Sequence, residues 1–276
     1  MKFAVNYINE EAMDLSTPNE VYIKYPGGKW DLETLSQLCN RNFKVILHGV
    51  IPSSGSILDP KLLSGFETFS KYIESTNQQW LSFHFDYKDK YGEPNFVATL
   101  EDNLKIIREY FPNIPILLEN LPPVDNIKSW CSDPKVFNHI LEKYDLKMLL
   151  DVPHTQISAE HFGMPFKDYV DQFPFDRIWE IHFSGLGKTH DGKLYDGHIM
   201  AEDKDYKCLE YVLPKCPNLK MLSLEFAPTR DYDGEVVAKE YREARTSKQL
   251  YDEQQIQLKH LKKMVKTLLK DEDLSK

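Results

Sequence analysis

Six side chains able to bind metals or move protons stand at or near the ends of otherwise apolar runs. They are His48 in KVILHG, His84 in WLSFHF, Glu119 in IPILLEN, Asp151 in KMLLDV, His182 in RIWEIHF and Glu225 in LKMLSLEF. A carboxylate or imidazole placed in hydrocarbon costs several kcal/mol unless it is paired or bound to a metal, so a shared ligand set explains the six together. Two local spacings extend the set. In Asp151-Val-Pro-His154 the histidine follows three residues into the next loop. In Asp196-Gly-His198 the i and i+2 side chains of an extended loop segment project to one side across a glycine.

Each feature also has an ordinary structural use. A lone strand-end histidine is commonly hydrogen-bonded, Asp151 suits a helix N-cap, and Asp196-Gly suits a turn. Yet of nine histidines, His48, His84, His154, His182 and His198 fall at these places, while His139 and His260 lie in helical stretches. His161 and His190 lie in loops, as candidate substrate contacts. Imidazoles and carboxylates without a thiolate suit zinc, iron or manganese and suit calcium or magnesium poorly. The full set of His48, His84, Glu119, Asp151, His154, His182, Asp196, His198 and Glu225 exceeds what one ion accepts. Two or three ions, about 3.5–4 Å apart, are therefore expected. Glu119, central in the order, is the expected bridge, and Glu119, Asp151 and His154 are the expected catalytic residues.

Elements must bring these residues together. Besides the six runs above, KFAVNYI from Lys2 and VYIKY from Val21 complete eight apolar segments, with helix-like stretches between them. Leu32, Leu35 and Leu38 repeat every three residues, and Leu62, Phe66, Phe69 and Ile73 follow a three-to-four spacing. Continuous apolar runs suit parallel strands buried on both faces, and alternating β and α elements imply a parallel sheet. Eight strands in 276 residues predict an α/β fold, a (β/α)8 TIM barrel, whose usual length is roughly 250 residues. In that fold all strand ends open on one face. The expected organisation is one barrel domain over 1–276, with a C-terminal helix over about 247–270 whose apolar stripe is Leu250, Leu258, Leu261, Met264, Val265 and Leu268. The polar stretch 229–245 reads as a solvated connector or a lid.

Composition narrows the functional classes. The balance of 34 basic against 43 acidic residues, net −9, disfavours duplex nucleic acid as a partner. The N-terminus has too short an apolar run for a signal peptide and no segment is apolar enough to span a membrane, so a cytoplasmic protein is expected. Cys39, Cys131, Cys208 and Cys216 show no metal or disulfide spacing and read as reduced thiols. Trp30, Tyr87, Trp179 and Phe183 are candidate pocket aromatics, although core packing is their commoner use. Lys188 and Arg230 are candidate anchors for an anionic group, although solvated surface is the commoner use.

In ligand order, the set resembles the trinuclear zinc site of endonuclease IV, within the xylose-isomerase-like barrel superfamily. A closer resemblance spans about His48 to Glu225. The segments LHGVIPSSGS, WLSFHFDY, LLENLPP, LLDVPHTQISAEHFGMPFKDYVDQFPFDRIWEIHFSG and DGHIMAED resemble domain-of-unknown-function family 692, which contains the multinuclear non-haem iron enzymes MbnB and TglH. The resemblance implies two to three iron ions, dioxygen, oxidative modification of cysteine in a ribosomally made peptide, and a small partner protein presenting that peptide. It assigns His48, His84, Glu119, Asp151, His182, His198 and Glu225 to ligand-like positions, with Asp196 supporting the same loop. The chain departs from the family pattern where Val-Asn-Asn and Ala-x-Asn-His-Gly are usual. It reads Asp151-Val152-Pro153-His154 and Ala159-Glu160-His161-Phe162-Gly163. His154 thus stands in place of an asparagine, as in the endonuclease arrangement, and metal identity and reaction type stay open.

Three other readings remain beside the oxidative one. Glu119, Asp151, His182 and Glu225 alone match the single manganese or magnesium site of sugar isomerases and epimerases. Clustered zinc would suit phosphodiester cleavage, on a small substrate given the charge. A non-enzymatic barrel stabilised by its metal is the last.

Overall fold

The protein is described from a computed structural model that covers residues 1–17, 21–26, 32–48, 56–59, 62, 66–76, 78–87, 96–123, 127–189, 192–227, 241 and 243–269. Trp30, His190, Arg230 and most of the stretch 229–245 lie outside these residues. All eight anticipated runs form strands: β1 (Lys2–Asn6), β2 (Tyr22–Pro26), β3 (Lys44–His48), β4 (Leu81–Phe85), β5 (Ile116–Asn120), β6 (Lys147–Asp151), β7 (Ile178–Phe183) and β10 (Met221–Leu224). They make one parallel sheet in the order β3-β2-β1-β10-β7-β6-β5-β4. Helices α1 (Glu10–Asp14), α2 (Leu32–Asn40), α3 (Phe66–Glu74), α4 (Phe96–Tyr110), α5 (Pro134–Lys143), α6 (Val152–His161), α7 (Phe166–Val170) and α8 (Asp203–Val212) alternate with them, and β8 (Gly185–Lys188) and β9 (Leu194–Ile199) form a separate two-stranded sheet. The curled parallel sheet with its helices has the (β/α)8 TIM-barrel architecture.

Among the described residues no ladder joins the two outer strands, β3 and β4, and side chains span this seam instead. The Gln78 amide accepts from Leu47 N (2.9 Å) and donates to Leu47 O (3.1 Å) and Trp80 O (2.6 Å). Further up, Ser56 bridges to His84, and Ile57 N donates to His84 O at 3.0 Å. Main-chain groups that the ladder would have paired are thereby satisfied.

Strand periodicity decides which side chains meet inside. Ala4, Ile46, Trp80, Leu117, Leu149 and Met221 form a small apolar cluster in the barrel interior. The residues alternating with them, such as Val5, Val45, Leu47, Leu81, Leu118 and Leu150, belong to the larger core between sheet and helices. Side chains repeat every second residue along a strand. Two steps along from Ile46, Leu117 and Leu149 therefore come His48, Glu119 and Asp151, and four steps from Trp80 and Met221 come His84 and Glu225.

Helix periodicity is met where it can be followed. Leu35 and Leu38 of α2 and Ile73 of α3 are buried, whereas Leu62 precedes α3 rather than belonging to it. The C-terminal helix runs Ser247–Leu268, capped by Thr246 with Gln249 in a reciprocal box, and buries Leu250, Leu258, Leu261 and Met264. Its buried Gln254 donates to Asn6 O (2.9 Å) and Phe226 O (3.3 Å), and Gln257 accepts from Ala201 N (2.9 Å).

No helix among the described residues is long and apolar enough to cross a membrane. The four cysteines are free. Burial pushes the thiols of Cys131 and Cys216 up to about 12 and that of Cys208 to about 11.

Candidate metal centre

All nine anticipated residues converge at the C-terminal ends of the strands. His48, Glu119, Asp151, His154, His182, His198 and Glu225 are buried. His84, with a side chain 27% exposed, and Asp196, at 16%, form the open rim. Glu119 lies between two groups. Its Oε2 is 3.1 Å from His48 Nε2 and 3.2 Å from His84 Nε2, and its Oε1 is 3.2 Å from His182 Nδ1. Glu225 Oε2 is 3.3 Å from His182 Nδ1, and Asp151 Oδ2 is 3.8 Å from the same atom. At the rim Asp196 Oδ2 is 3.2 Å from His154 Nε2 and 2.5 Å from His198 Nε2.

Two local expectations are corrected here. His154 is not in a loop: it lies in the first turn of α6, because Pro153 suits the start of a helix and Asp151 caps it, accepting from His154 N at 2.6 Å. Asp151 thus serves as a cap and faces the cluster at once. Asp196 and His198 lie not in a loop but on β9 (Leu194–Ile199), paired antiparallel with β8 (Gly185–Lys188) in a hairpin across the barrel mouth. A Cβ on Gly185 would collide with the Met200 carbonyl, so the hairpin's close return requires glycine there.

The other candidates lie elsewhere. His139 is on α5 and His260 on the C-terminal helix, as expected, whereas His161 ends α6 rather than lying in a loop. Trp179 sits at the start of β7, at the barrel end opposite the cluster, between Lys147 and Lys220. Phe183 and Tyr87 are core, packed on Tyr206 and Trp130. Lys188 is exposed on β8.

Four imidazoles have one nitrogen engaged on the outside and the other aimed inward. His154 Nδ1 faces Asn120 O (2.9 Å), His198 Nδ1 faces Glu225 O (2.8 Å) and His48 Nδ1 faces Ser82 Oγ (3.1 Å). His182 engages Glu180 Oε1 through Nε2 at 3.1 Å, leaving Nδ1 to the cluster. The outer partner selects the tautomer and so decides which nitrogen can ligate.

The donor set fits metal ions. Zinc-type metals hold nitrogen and oxygen at about 2.0–2.2 Å, which spaces neighbouring ligand atoms roughly 3.0–3.5 Å apart. The contacts from Glu119 to His48, His84 and His182 fall in that range. Glu119 Oε2 is buried without a hydrogen bond among the described residues, which an ion would relieve. Among the described residues three sets each hold donor atoms within 4.8 Å of one another: His48, His84 and Glu119; Glu119, Asp151, His182 and Glu225; and His48, His182 and Glu225.

The charges are uneven. Burial works against ionised Glu119, but His48 and His84 hold it below the usual carboxylate range. Burial also opposes ionised Asp196, which His198 and His154 likewise hold low. Burial, reinforced by the nearby carboxylates Asp196, Glu119 and Glu225, pushes Asp151 well up. Despite burial, Asp151 and Asp196 raise His154 well above the ordinary histidine value, and Glu119 raises His84. Burial and the Lys24 charge lower His48.

Sequence reasoning missed the layer beneath. Lys24 on β2 and Glu180 on β7 are both buried and paired at 3.0 Å. The signal was present: Glu180 stands two residues before His182 on the same strand face. Lys24 interrupts a run that is otherwise apolar or aromatic.

A parallel barrel carrying imidazoles and carboxylates at its strand ends is of the class of TIM barrels with a metal-type site at the open face. Within that class, residues 18–226 match the model of the RiPP precursor modification enzymes MbnB/TglH/ChrH, and the chain belongs to that family. A UPF0276 protein of Acaryochloris marina is 28% identical over 189 residues, covering 63% of this chain and 66% of the relative. A second UPF0276 protein, from Rhizobium meliloti, is 28% identical over 63% of this chain and 62% of its own length, so a third or more of each relative lies outside the match. Among solved structures, a xylose isomerase domain protein from Alicyclobacillus acidocaldarius is 12% identical with a TM-score of 0.64, covering 97% of this chain and 99% of the other. Endonuclease IV from Thermus thermophilus is 12% identical with a TM-score of 0.50, covering 88% and 98%. These two likenesses are of fold.

Proposed function

We propose that this chain is a multinuclear, iron-dependent oxidative enzyme that modifies cysteine in a ribosomally made peptide. The observation carrying the metal part is the orientation of four buried imidazoles, each with one nitrogen engaged outside and the other facing shared carboxylates. The peptide substrate is supported by membership of the precursor-modifying family. Glu119 faces both sides of the cluster with different oxygens and is suited to bridge. His154 and Asp196 would close the set toward the rim.

Iron held there would supply the one-electron and dioxygen chemistry that oxidative modification of a thiol requires. The chain's own part is to orient the ligands, keep the floor dry and leave the His84 and Asp196 side open to a peptide. A small partner protein presenting the peptide is part of the proposal, as is action in the cytoplasm.

A second reading has one observation in its favour. Glu119, Asp151, His182 and Glu225 form a complete four-residue set, enough for one ion polarising a carbonyl, as in a sugar isomerase.

Metal analysis by plasma mass spectrometry on anaerobically purified protein separates the readings, with Mössbauer spectra if iron is present. Two to three iron ions per chain are expected. Two to three zinc ions would replace the oxidative reading with a hydrolytic one, and a single manganese or magnesium would favour the isomerase.

A further inference from the structure

The buried carboxylate of Glu180 collects donors from across the barrel. Its Oε1 accepts from Lys24 Nζ (3.0 Å) and Ser223 Oγ (2.7 Å) and lies 3.1 Å from His182 Nε2, while Oε2 accepts from Trp80 Nε1 (2.7 Å). Lys24 in turn touches His182 Nε2 and lies 3.7 Å from Glu225 Oε1. A buried ion pair rarely adds stability over apolar residues of the same volume. The cluster just below, with Ile46, Leu117 and Leu149, shows that this interior can be filled by hydrocarbon. What the pair does have is direct contact with two residues of the site.

We propose that Glu180, held by Lys24, Trp80 and Ser223, is a positioning residue for the metal centre. The inference rests on the metal reading above. With a metal on Nδ1 the ring N–H of His182 would lie at Nε2, beside Glu180 Oε1, so that the carboxylate would hold the ring with Nδ1 toward Glu119, Asp151 and Glu225. A carboxylate behind a ligating histidine orients the ring and strengthens its donor nitrogen. Lys24 offsets the charge of Glu180 and draws Glu225 Oε1 to the floor, so that Oε2 is the oxygen facing His182 Nδ1. His182 belongs to two of the three possible ligand groups, so its orientation affects more of the cluster than that of His84, which belongs to one.

The test is metal binding by the full chain, stripped and reloaded with Zn(II) against a chromophoric chelator, with stoichiometry by plasma mass spectrometry and melting of the metal-free form. The variant K24M/E180Q removes both charges together and leaves neither ion uncompensated. Its metal-free form should melt close to wild type, while affinity for the ion held through His182 falls by about 10–100-fold. Ions held through His48, His84 and Glu119 should be retained. Combined with His182→Ala, the loss should be smaller than the sum of the two separate losses, because the pair acts on the ion that His182 and Glu225 would hold together.

Wild-type affinity and stoichiometry in K24M/E180Q would overturn the positioning role, as would losses that simply add to those of His182→Ala. If K24M/E180Q does not fold, Glu180→Asp keeps the charge but withdraws the carboxylate from His182. The same selective loss is expected there, and unchanged binding would overturn the proposal. Wild-type protein that takes up no metal would instead sink the metal reading itself.

Discussion

Glu119 Oε2 and His48 Nε2 lie 3.1 Å apart in the buried interior of the barrel, although the whole of β4 and its flanking segments separate them along the chain. That separation is the spacing of two ligands on one ion, and Glu119 repeats it with His84 and with His182. One carboxylate thereby links groups that the chain delivers from β3, β4, β5 and β7.

Replacing Glu119 with Gln should remove the shared oxygen charge from both groups. Metal content should fall by at least one ion per chain and activity should be abolished. Full metal content in the variant, measured by plasma mass spectrometry, would rule out the bridge.

Replacing His139 with Ala should leave metal content at wild-type level. It lies on α5, outside the strand-end cluster. Loss of metal in this variant would contradict the assignment of ligands to the barrel mouth.

Metal binding should strengthen with rising pH. Raised histidines such as His84 and His154 stabilise the metal-free fold fully below the unfolded value of about 6.5, and that contribution is lost as pH climbs through their folded values. Asp151, raised by burial, acts in the same direction. Metal-free protein should therefore melt at lower temperature as pH increases above about 6.5. A ligating imidazole must be neutral, so Zn(II) affinity should rise over the same window and loading should release protons. Melting curves with and without Zn(II), together with an indicator dye, check this. Identical pH profiles for the two forms would refute it.

Gln78→Ala should destabilise the barrel by about 1–3 kcal/mol, because the seam between β3 and β4 loses donors and an acceptor for main-chain groups. Urea unfolding of the metal-free variant measures the change. A shift below about 0.5 kcal/mol would mean that water satisfies the seam as well as the amide does.

The architecture was legible because the strands are mostly apolar runs, six of them with a metal-type side chain at or near the end, and burial on both faces demands such runs. The positions of His48, Glu119, Asp151 and Glu225 followed from the same pattern. Local chemistry was less legible. Asp151-Val-Pro-His154 can be read as loop or as capped helix, and the Asp151 cap with Pro153 in the first turn made it a helix. Asp196-Gly-His198 suited a turn but became a hairpin strand, because the returning chain packs against Gly185 and places both side chains over the mouth.

The sequence by itself determined which residue types would stand at the strand ends, since a period of two and a hydrophobic interior leave little freedom in that choice. Only the tertiary structure decided which nitrogen of each imidazole faces inward, because that depends on partners such as Asn120 O, Ser82 Oγ and Glu180 Oε1 that lie far away in the chain. It also decided that Lys24 and Glu180 meet. They are 156 residues apart, and their pairing arises only when the curling sheet brings β2 and β7 face to face across the barrel.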